Sequence, residues 1–327
     1  MTGLCAGACL SLSGRFAQFG EQAANGLRLW AEESDTALTI LDDHSDPAVL
    51  TERLTDLAPR VDLLFGPYST VLIRAALPVA ETAGKLLFNH GGSGGKLLHP
   101  GRVVNVLTPA RRYADPFITH LAAGGGGPLC VPDVAGAFGR DVLGGATDAA
   151  QTAGIHVERF NPARPPRGTW DLLSAGVYED DIATVRAARA LPNPPRNVCS
   201  VAAGVAAFAA DIGDPDGVYG VGQWSPGSTW AVDAGMDVPA FLNAWRDRFG
   251  GVPDYPAVQA YAAGVIAGAA TQQAAVSVAT DALWQVVVDL DVTTVFGRFR
   301  IDAATGRQIG HEAVLTRWRG NHAQLVD

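Results

Sequence analysis

Gly91-Gly92-Ser93-Gly94-Gly95 follows the apolar run Lys85 to Asn89 and sets one hydroxyl among flexible backbone amides where a strand should end. Such a turn can cradle a carboxylate or phosphate with N–H donors and one side-chain oxygen. The same spacing reads as G-x-S-x-G, the nucleophile elbow of hydrolytic enzymes, with Ser93 as nucleophile and His120, His156 or His311 as base. That elbow needs a helix directly after the serine, whereas Pro100-Gly101 arrives seven residues later. No H-G-G-G segment offers an oxyanion hole, so the pattern favours binding over catalysis. A phosphate loop fails too, because Lys96 is followed by Leu97 rather than Ser or Thr. No H-x-x-x-H or paired-cysteine spacing is present, and neither a metal nor a cofactor is expected.

The elements that must position this turn belong to a chain of 327 residues, long enough for two lobes, with 48% apolar residues to fill their cores. A net charge of −9 excludes nucleic acid as a partner, whose phosphates need a basic surface. No run of Lys or Arg suits an anionic membrane, and no apolar run approaches the ~20 residues of a membrane span. Cys5, Cys9, Cys130 and Cys199 form no C-x-x-C, and are expected as buried thiols rather than a disulfide. The N-terminus shows no basic segment followed by a long apolar stretch. The chain is therefore expected either to work in the cytoplasm or to carry its export signal upstream of Met1.

Strand and helix signals alternate. Leu4 to Leu12 reads as a strand, followed by a helical face of Ala23, Ala24, Leu27, Trp30 and Ala31. Leu38 to Leu41 is a strand, and Asp46-Pro47 opens a helix striped by Leu50, Leu54 and Leu57. Val61 to Phe65, closed by Gly66-Pro67, reads as a strand buried on both faces, then Ser69 to Ala83 as a helix. After a joint near Thr108 to Pro116 the series restarts. Strands fall at Leu129 to Val131, His156 to Phe160, Trp170 to Ala175 and Val198 to Ala202, with helices over Arg140 to Ala153 and Glu179 to Leu191. A strand at Val218 to Val221, an Ala-rich core helix over Ala257 to Ala275 and a hairpin around Asp302 to Gly306 complete the pattern. This order predicts an α/β fold of two Rossmann-like lobes with parallel sheets.

The segments LSLSGRFAQFGEQAANGLRL, DDHSDPAVLTERLTDL, LLFGPYSTVLIRAALPVAETAGKLLFNHGGSGGKL, DVAGAFGRDVLGGATDAAQTAG, FLNAWRDRFGGVPDYPAVQAYAAGVIAGA and TTVFGRFRIDAATGRQIGHEAVLTRW stand in this order along the chain. They resemble the type I solute-binding proteins, the branched-chain amino acid and amide group that serves ABC importers. The resemblance covers almost the whole chain in order. It implies a type I periplasmic binding fold with a three-crossover hinge: an N-terminal lobe of residues 1–113 plus 232–295, and a C-terminal lobe of 114–231 plus 296–327. It further implies a small-molecule ligand captured by lobe closure, a membrane permease as partner, an extracytoplasmic location and a monomer without enzymatic activity.

For the site, the resemblance implies an aromatic wall at Phe19, anchors at Tyr68, Ser69 and Thr70, and a second anchoring turn of Gly91, Gly92 and Ser93. In the second lobe it implies Phe138 and Tyr178, with Trp224 near a crossover. Ser69 or Thr70 can equally cap its helix, and Phe19 or Phe138 can be core. Amino-acid binders of the group hold the ligand's ammonium with a second-lobe carboxylate, and Ala203 stands at that position. A buried ammonium without an anion is costly. The expected ligand is therefore a small carboxylate or amide, such as a keto acid or aromatic acid, unless Asp133, Glu179 or Asp180 substitutes. The alternative role is a cytoplasmic small-molecule sensor that signals to a regulator with the same fold.

Overall fold

The computed structural model describes residues 4–274 and 279–326. The chain divides into two compact units: Met1–Thr108 with Thr229–His311, and Pro109–Ser228 with Glu312–Asp327.

The first unit begins β1 (Cys5–Leu10), α1 (Ala17–Glu33), β2 (Ala37–Asp42), α2 (Pro47–Leu57), β3 (Leu63–Phe65), α3 (Thr70–Thr82), β4 (Leu87–Asn89), β5 (Val103–Asn105). Its sheet has the order β2-β1-β3-β4-β5, with every pair parallel. Local chemistry explains the helices. Asp46 caps α2 by accepting from Ala48 N at 2.7 Å and Val49 N at 3.2 Å, Pro47 opens it, and Leu50, Leu54 and Leu57 are buried. In α1 the predicted face of Ala23, Ala24, Leu27, Trp30 and Ala31 is buried, although the helix starts at Ala17, before Gly20.

In the second unit come α4 (Asp115–Ala123), β6 (Leu129–Val131), α5 (Ala137–Thr152), β7 (Val157–Arg159), β8 (Asp171–Ser174), α6 (Tyr178–Arg189), β9 (Asn197–Ser200), α7 (Phe208–Ile212) and β10 (Tyr219–Gly222). The chain then returns to the first unit with α8 (Val238–Phe249), α9 (Tyr255–Ala274), α10 (Thr280–Asp289), β11 (Val292–Thr294), β12 (Gly297–Phe299), β13 (Ile301–Asp302) and β14 (Arg307–Gln308). The hairpin β15 (Val314–Arg319) and β16 (His322–Leu325) closes the second sheet, in the order β7-β6-β8-β9-β10-β15-β16. Strands β7 to β10 run parallel and the last two antiparallel. Both units thus start with a first strand flanked by the second and third, the doubly wound arrangement whose ligands sit beyond the carboxyl ends of the strands.

The Ala-rich helix α9 is a core element, buried nearly all round. Its close fit to α1 depends on glycine: a Cβ at Gly26 would lie 2.0 Å from the Ala257 carbonyl oxygen, and one at Gly264 would enter the Trp30 ring. Ala275, the expected end of that helix, lies outside the described residues. Residues 296–311, assigned from sequence to the second lobe, fall in the first unit. Long-range bonds hold them there: Asn105 Nδ2 donates to Gly306 O at 3.1 Å, Gln308 Nε2 to Val106 O at 3.2 Å and Thr108 Oγ1 to His311 O at 2.8 Å. All four cysteines are thiols; Cys9, Cys130 and Cys199 are buried and Cys5 is half-buried. Among the described residues no helix is long and apolar enough to cross a membrane.

Candidate functional site

In the first unit the loops after β1, β3 and β4 meet at one end of the sheet. The turn after β4 is built by Asn89, a residue the sequence reading passed over. Its buried Oδ1 accepts from the Gly91 and Gly92 amides at 3.1 and 2.9 Å, and its Nδ2 donates to Gly92 O at 2.6 Å and Asn105 Oδ1 at 2.8 Å. The two glycine amides expected to face a ligand are therefore already taken. Their lack of side chains serves packing instead. A Cβ at Gly91 would lie 2.3 Å from Pro67 O, and one at Gly92 3.1 Å from Thr70 Cα. Ser69 N also donates to Gly91 O at 2.9 Å. The glycines let two loops touch, and no residue from 91 to 95 has a positive φ. A strand-final Asn one residue removed from Gly-Gly is a legible signal, because its short amide can bond backbone two and three residues on.

The loop after β3 leads into α3. Ser69 is its N-cap, with φ 88° and ψ 144°, a backbone region that disfavours any side chain. Its hydroxyl accepts from Leu72 N at 3.4 Å, so Ser69 caps the helix while its O–H stays able to donate. The amides of Thr70 and Val71 belong to the first turn, where a helix cannot satisfy them itself. Among the described residues nothing bonds those amides, nor the hydroxyls of Thr70 and Ser93.

Beside this polar edge stands an aromatic wall. Phe19 stacks on Tyr68 with ring centroids 4.8 Å apart, and Phe16 meets Tyr68 edge-on at 6.0 Å. Tyr255, at the start of α9, lies 6.3 Å from Phe19 and shares a hydroxyl–hydroxyl bond with Tyr68. All four rings are half-buried. Phe16 and Tyr255 were missed from sequence. Tyr255 joins the wall from 187 positions away in the chain, a distance no local pattern can bridge.

Below the turn, His90 is wholly buried and neither ring nitrogen has a partner. Burial pushes its pKa down to about 4, and the nearby His90 and Gly66 carbonyls offset only part of this without forming hydrogen bonds. It is thus unbonded to Ser93, and Ser93 leads into a single 3-10 turn, Gly95–Leu97, rather than the helix a nucleophile elbow needs. Another Ser–His–Asp group, Ser13, His44 and Asp42, also lacks triad geometry. Ser13 Oγ and Asp42 Oδ2 approach the same ring nitrogen, Nδ1, at 2.6 and 3.0 Å, while Arg53 Nη2 lies 3.1 Å from Nε2. Desolvation raises the Asp42 pKa, but donors from His44 N, Ser13 and Leu12 N outweigh it and leave the carboxyl below its usual range. The group fastens the β1 and β2 loops together.

In the second unit the predicted residues do not assemble into one cluster. Phe138 packs edge-on against Tyr113 at 5.4 Å, beside the core under α5. Tyr178 opens α6 and donates from its hydroxyl to Asp211 Oδ2 at 2.7 Å. Trp224 is buried. Ala203 is wholly buried in the apolar core with Phe208 and Trp318, and its carbonyl accepts the Trp318 indole N–H at 2.8 Å. It therefore forms core rather than ligand wall, and the absence of a carboxylate there says nothing about an ammonium. Asp133 pairs with Arg159, while Glu179 and Asp180 are exposed on the first turn of α6.

The organising carboxylate of this unit is Asp181, unnoticed in the sequence. It accepts from Ser174 Oγ and Gly176 N, both at 2.6 Å, from Ser200 Oγ at 3.0 Å and from Ala202 N at 3.2 Å. Burial raises its pKa and those four donors work against the rise. Asp181 ties the loops after β8 and β9 as Asn89 ties those of the first unit.

These two doubly wound sheets, with polar loop clusters beyond their strand ends, constitute the type I periplasmic-binding fold. A family model described as periplasmic binding protein matches residues 6–171, just over half of the chain, and the chain belongs to that family. Among solved structures, the leucine-binding protein LivK of Thermotoga maritima is similar with a TM-score of 0.83 at 14% identity, over 99% of this chain and 98% of that one. LivJ of Streptococcus pneumoniae, in complex with isoleucine, gives 0.78 at 15% identity, over 99% of each chain. A solute-binding protein of an R. palustris ABC transporter, in complex with benzoate, gives 0.76 at 17% identity, over 99% of this chain and 95% of that one. No curated protein matches the sequence.

Proposed function

We propose that this protein is the substrate-binding component of an ABC importer and captures a small carboxylate or amide without turning it over. The observation that carries the reading is the start of α3. Two amides and the Thr70 hydroxyl have no partner among the described residues; they follow Tyr68 of the aromatic wall directly in the chain, and the Gly91-Gly92 turn that leads to Ser93 packs against Thr70. A helix N-terminus favours an anion through both its unsatisfied N–H groups and its dipole. Aromatic rings beside it suit a planar or branched apolar body. Structural neighbours bound to isoleucine and benzoate hold ligands that share a carboxylate and differ in the amine.

The preference for an acid without an amine rests on the start of α3, whose N–H groups, hydroxyl and dipole favour a carboxylate and disfavour an ammonium beside it. The importer's membrane permease is the expected partner, and the place of work extracytoplasmic. Isothermal titration tests the ligand class directly, with leucine against its 2-keto analogue, phenylalanine against phenylpyruvate, and benzoate. An unpaired ammonium costs a few kcal/mol, about a hundredfold in affinity, so the amine-free member of each pair is expected to win. Tighter binding of both amino acids would overturn that preference. Thr70→Ala and Ser93→Ala should each weaken binding by about 1–3 kcal/mol. If both bind like wild type, the site lies elsewhere.

A further inference from the structure

The second unit contains a cavity of about 750 Å³ between the end of β7, the connection that follows it, and the outer flank of α6. Phe160 and Pro162 line one side, Ala183, Thr184 and Ala187 the other, and the Asp133–Arg159 ion pair sits at its edge. The first unit explains why a cavity is there. Its β2-to-β3 connection is the helix α2, which packs along α3. The equivalent β7-to-β8 connection, residues 160–170, contains no helix; Pro162, Pro165 and Pro166 break it. It is an irregular strap, pinned where Asn193 Nδ2 donates to Pro166 O at 3.1 Å and Gly168 O at 2.8 Å.

Counting from the N-caps Ser69 and Val177, the flank Ala183, Thr184 and Ala187 of α6 corresponds to Ala75, Ala76 and Val79 of α3. In the first unit those residues pack in the core shared with α2, whereas in the second they face the cavity. The strap also carries charge. Arg164 and Arg167 are exposed and form no ion pair among the described residues, in a chain whose net charge is −9.

We propose that this groove docks an acidic amphipathic helix of a partner protein, which takes the place that α2 fills in the first unit. The reading is independent of which ligand the first unit binds. A helix-in-groove contact needs apolar anchors at helical spacing, which the alanine flank can accept at close range. Acidic residues on the partner helix would meet Arg164 and Arg167 of the strap, and such charges at the edge of a contact set association rate and salt dependence.

The chain supplies its own probe, since the α2 sequence combines Leu50, Leu54 and Leu57 with exposed Glu52 and Asp56. A stapled, fluorescein-labelled peptide of residues 46–58, titrated against the full chain by anisotropy, should bind saturably, with Kd on the order of 100 μM or tighter. Ala187→Trp fills the groove and should weaken binding at least about tenfold, and Ala183→Glu, at an exposed position, serves if the first variant does not fold. Arg164→Glu with Arg167→Glu should weaken binding about fivefold and flatten its dependence on salt. Absence of saturation, or binding unchanged by both groove variants, overturns the proposal. Sedimentation of the protein alone supplies a further check: a dimer abolished by Ala187→Trp would put a second copy in the groove and overturn the partner assignment.

Discussion

Two helices, α3 in the first unit and α5 in the second, begin with nearly the same backbone. Ser69 has φ 88° and ψ 144°, and Gly136 has φ 87° and ψ 156°. Glycine adopts that conformation without penalty, whereas a serine is held in it at a cost of order 1–3 kcal/mol. The serine brings a hydroxyl that caps Leu72 N, while Gly136 makes no side-chain cap. The first unit thus fixes its helix start with a strained residue clamped against the Gly91 carbonyl, and the second leaves its own uncapped. A strained, over-determined helix start is a pre-organised one. The contrast supports the proposal that the first unit anchors the ligand.

The largest expected effect comes from removing what clamps that end. Asn89→Ala deletes four hydrogen bonds in a buried turn and should lower stability by about 2–4 kcal/mol in urea unfolding, with loss of ligand binding. Asp181→Ala is the counterpart in the second unit. If it costs as much stability yet leaves affinity intact, the division of labour is sharpened; if it abolishes binding as fully, the contrast breaks.

Next is a pH dependence. His90 ionises near 6.5 when unfolded and near 4 in the native state. Between those values the unfolded chain binds a proton that the native chain refuses, so stability falls as pH drops from about 6.5 to about 4. The full shift corresponds to about 3 kcal/mol, as an order of magnitude. His90→Phe should remove that slope from a plot of Tm against pH. A slope unchanged in the variant would locate the acid sensitivity elsewhere.

Exchanging the two caps gives smaller effects. A Cβ at Gly136 meets nothing within 4 Å, so Gly136→Ser tests backbone strain alone and should destabilise by about 1–2 kcal/mol. Ser69→Gly relieves strain but loses the cap and adds chain entropy, so its net change should stay within about 1 kcal/mol. Its affinity should fall if the fixed helix start matters to binding. The smallest effect belongs to Tyr178→Phe, which breaks the bond to Asp211 at a half-exposed site and should cost about 0.5–1 kcal/mol in stability with affinity unchanged. A large affinity loss there would return Tyr178 to the ligand.

The sequence by itself determined what repeats at short range. The period of Leu50, Leu54 and Leu57, the Asp46-Pro47 start and the two-face burial of Val61 to Phe65 each encode an element, because capping and amphipathic burial act within a few residues. Their alternation determined a doubly wound fold in two units. The short strand β5 and the helices α4 and α10 escaped this reading, since three residues of strand carry too little pattern and a polar-flanked helix leans on its neighbours. Around the proposed site, the Ser69–Thr70 helix start was legible from Gly66-Pro67 and the helix signal after it, whereas the Phe19 wall came only from the family resemblance. Only the tertiary structure decided how those parts are used. Tyr255 reaches Tyr68 across the chain, Asn89 takes up the Gly91 and Gly92 amides, Ala203 turns into the core, and residues 296–311 join the first unit through bonds from Asn105, Thr108 and Gln308. A hydrogen-bonding group serves whichever partner comes within about 3 Å, and which partner does so is fixed by packing between distant segments.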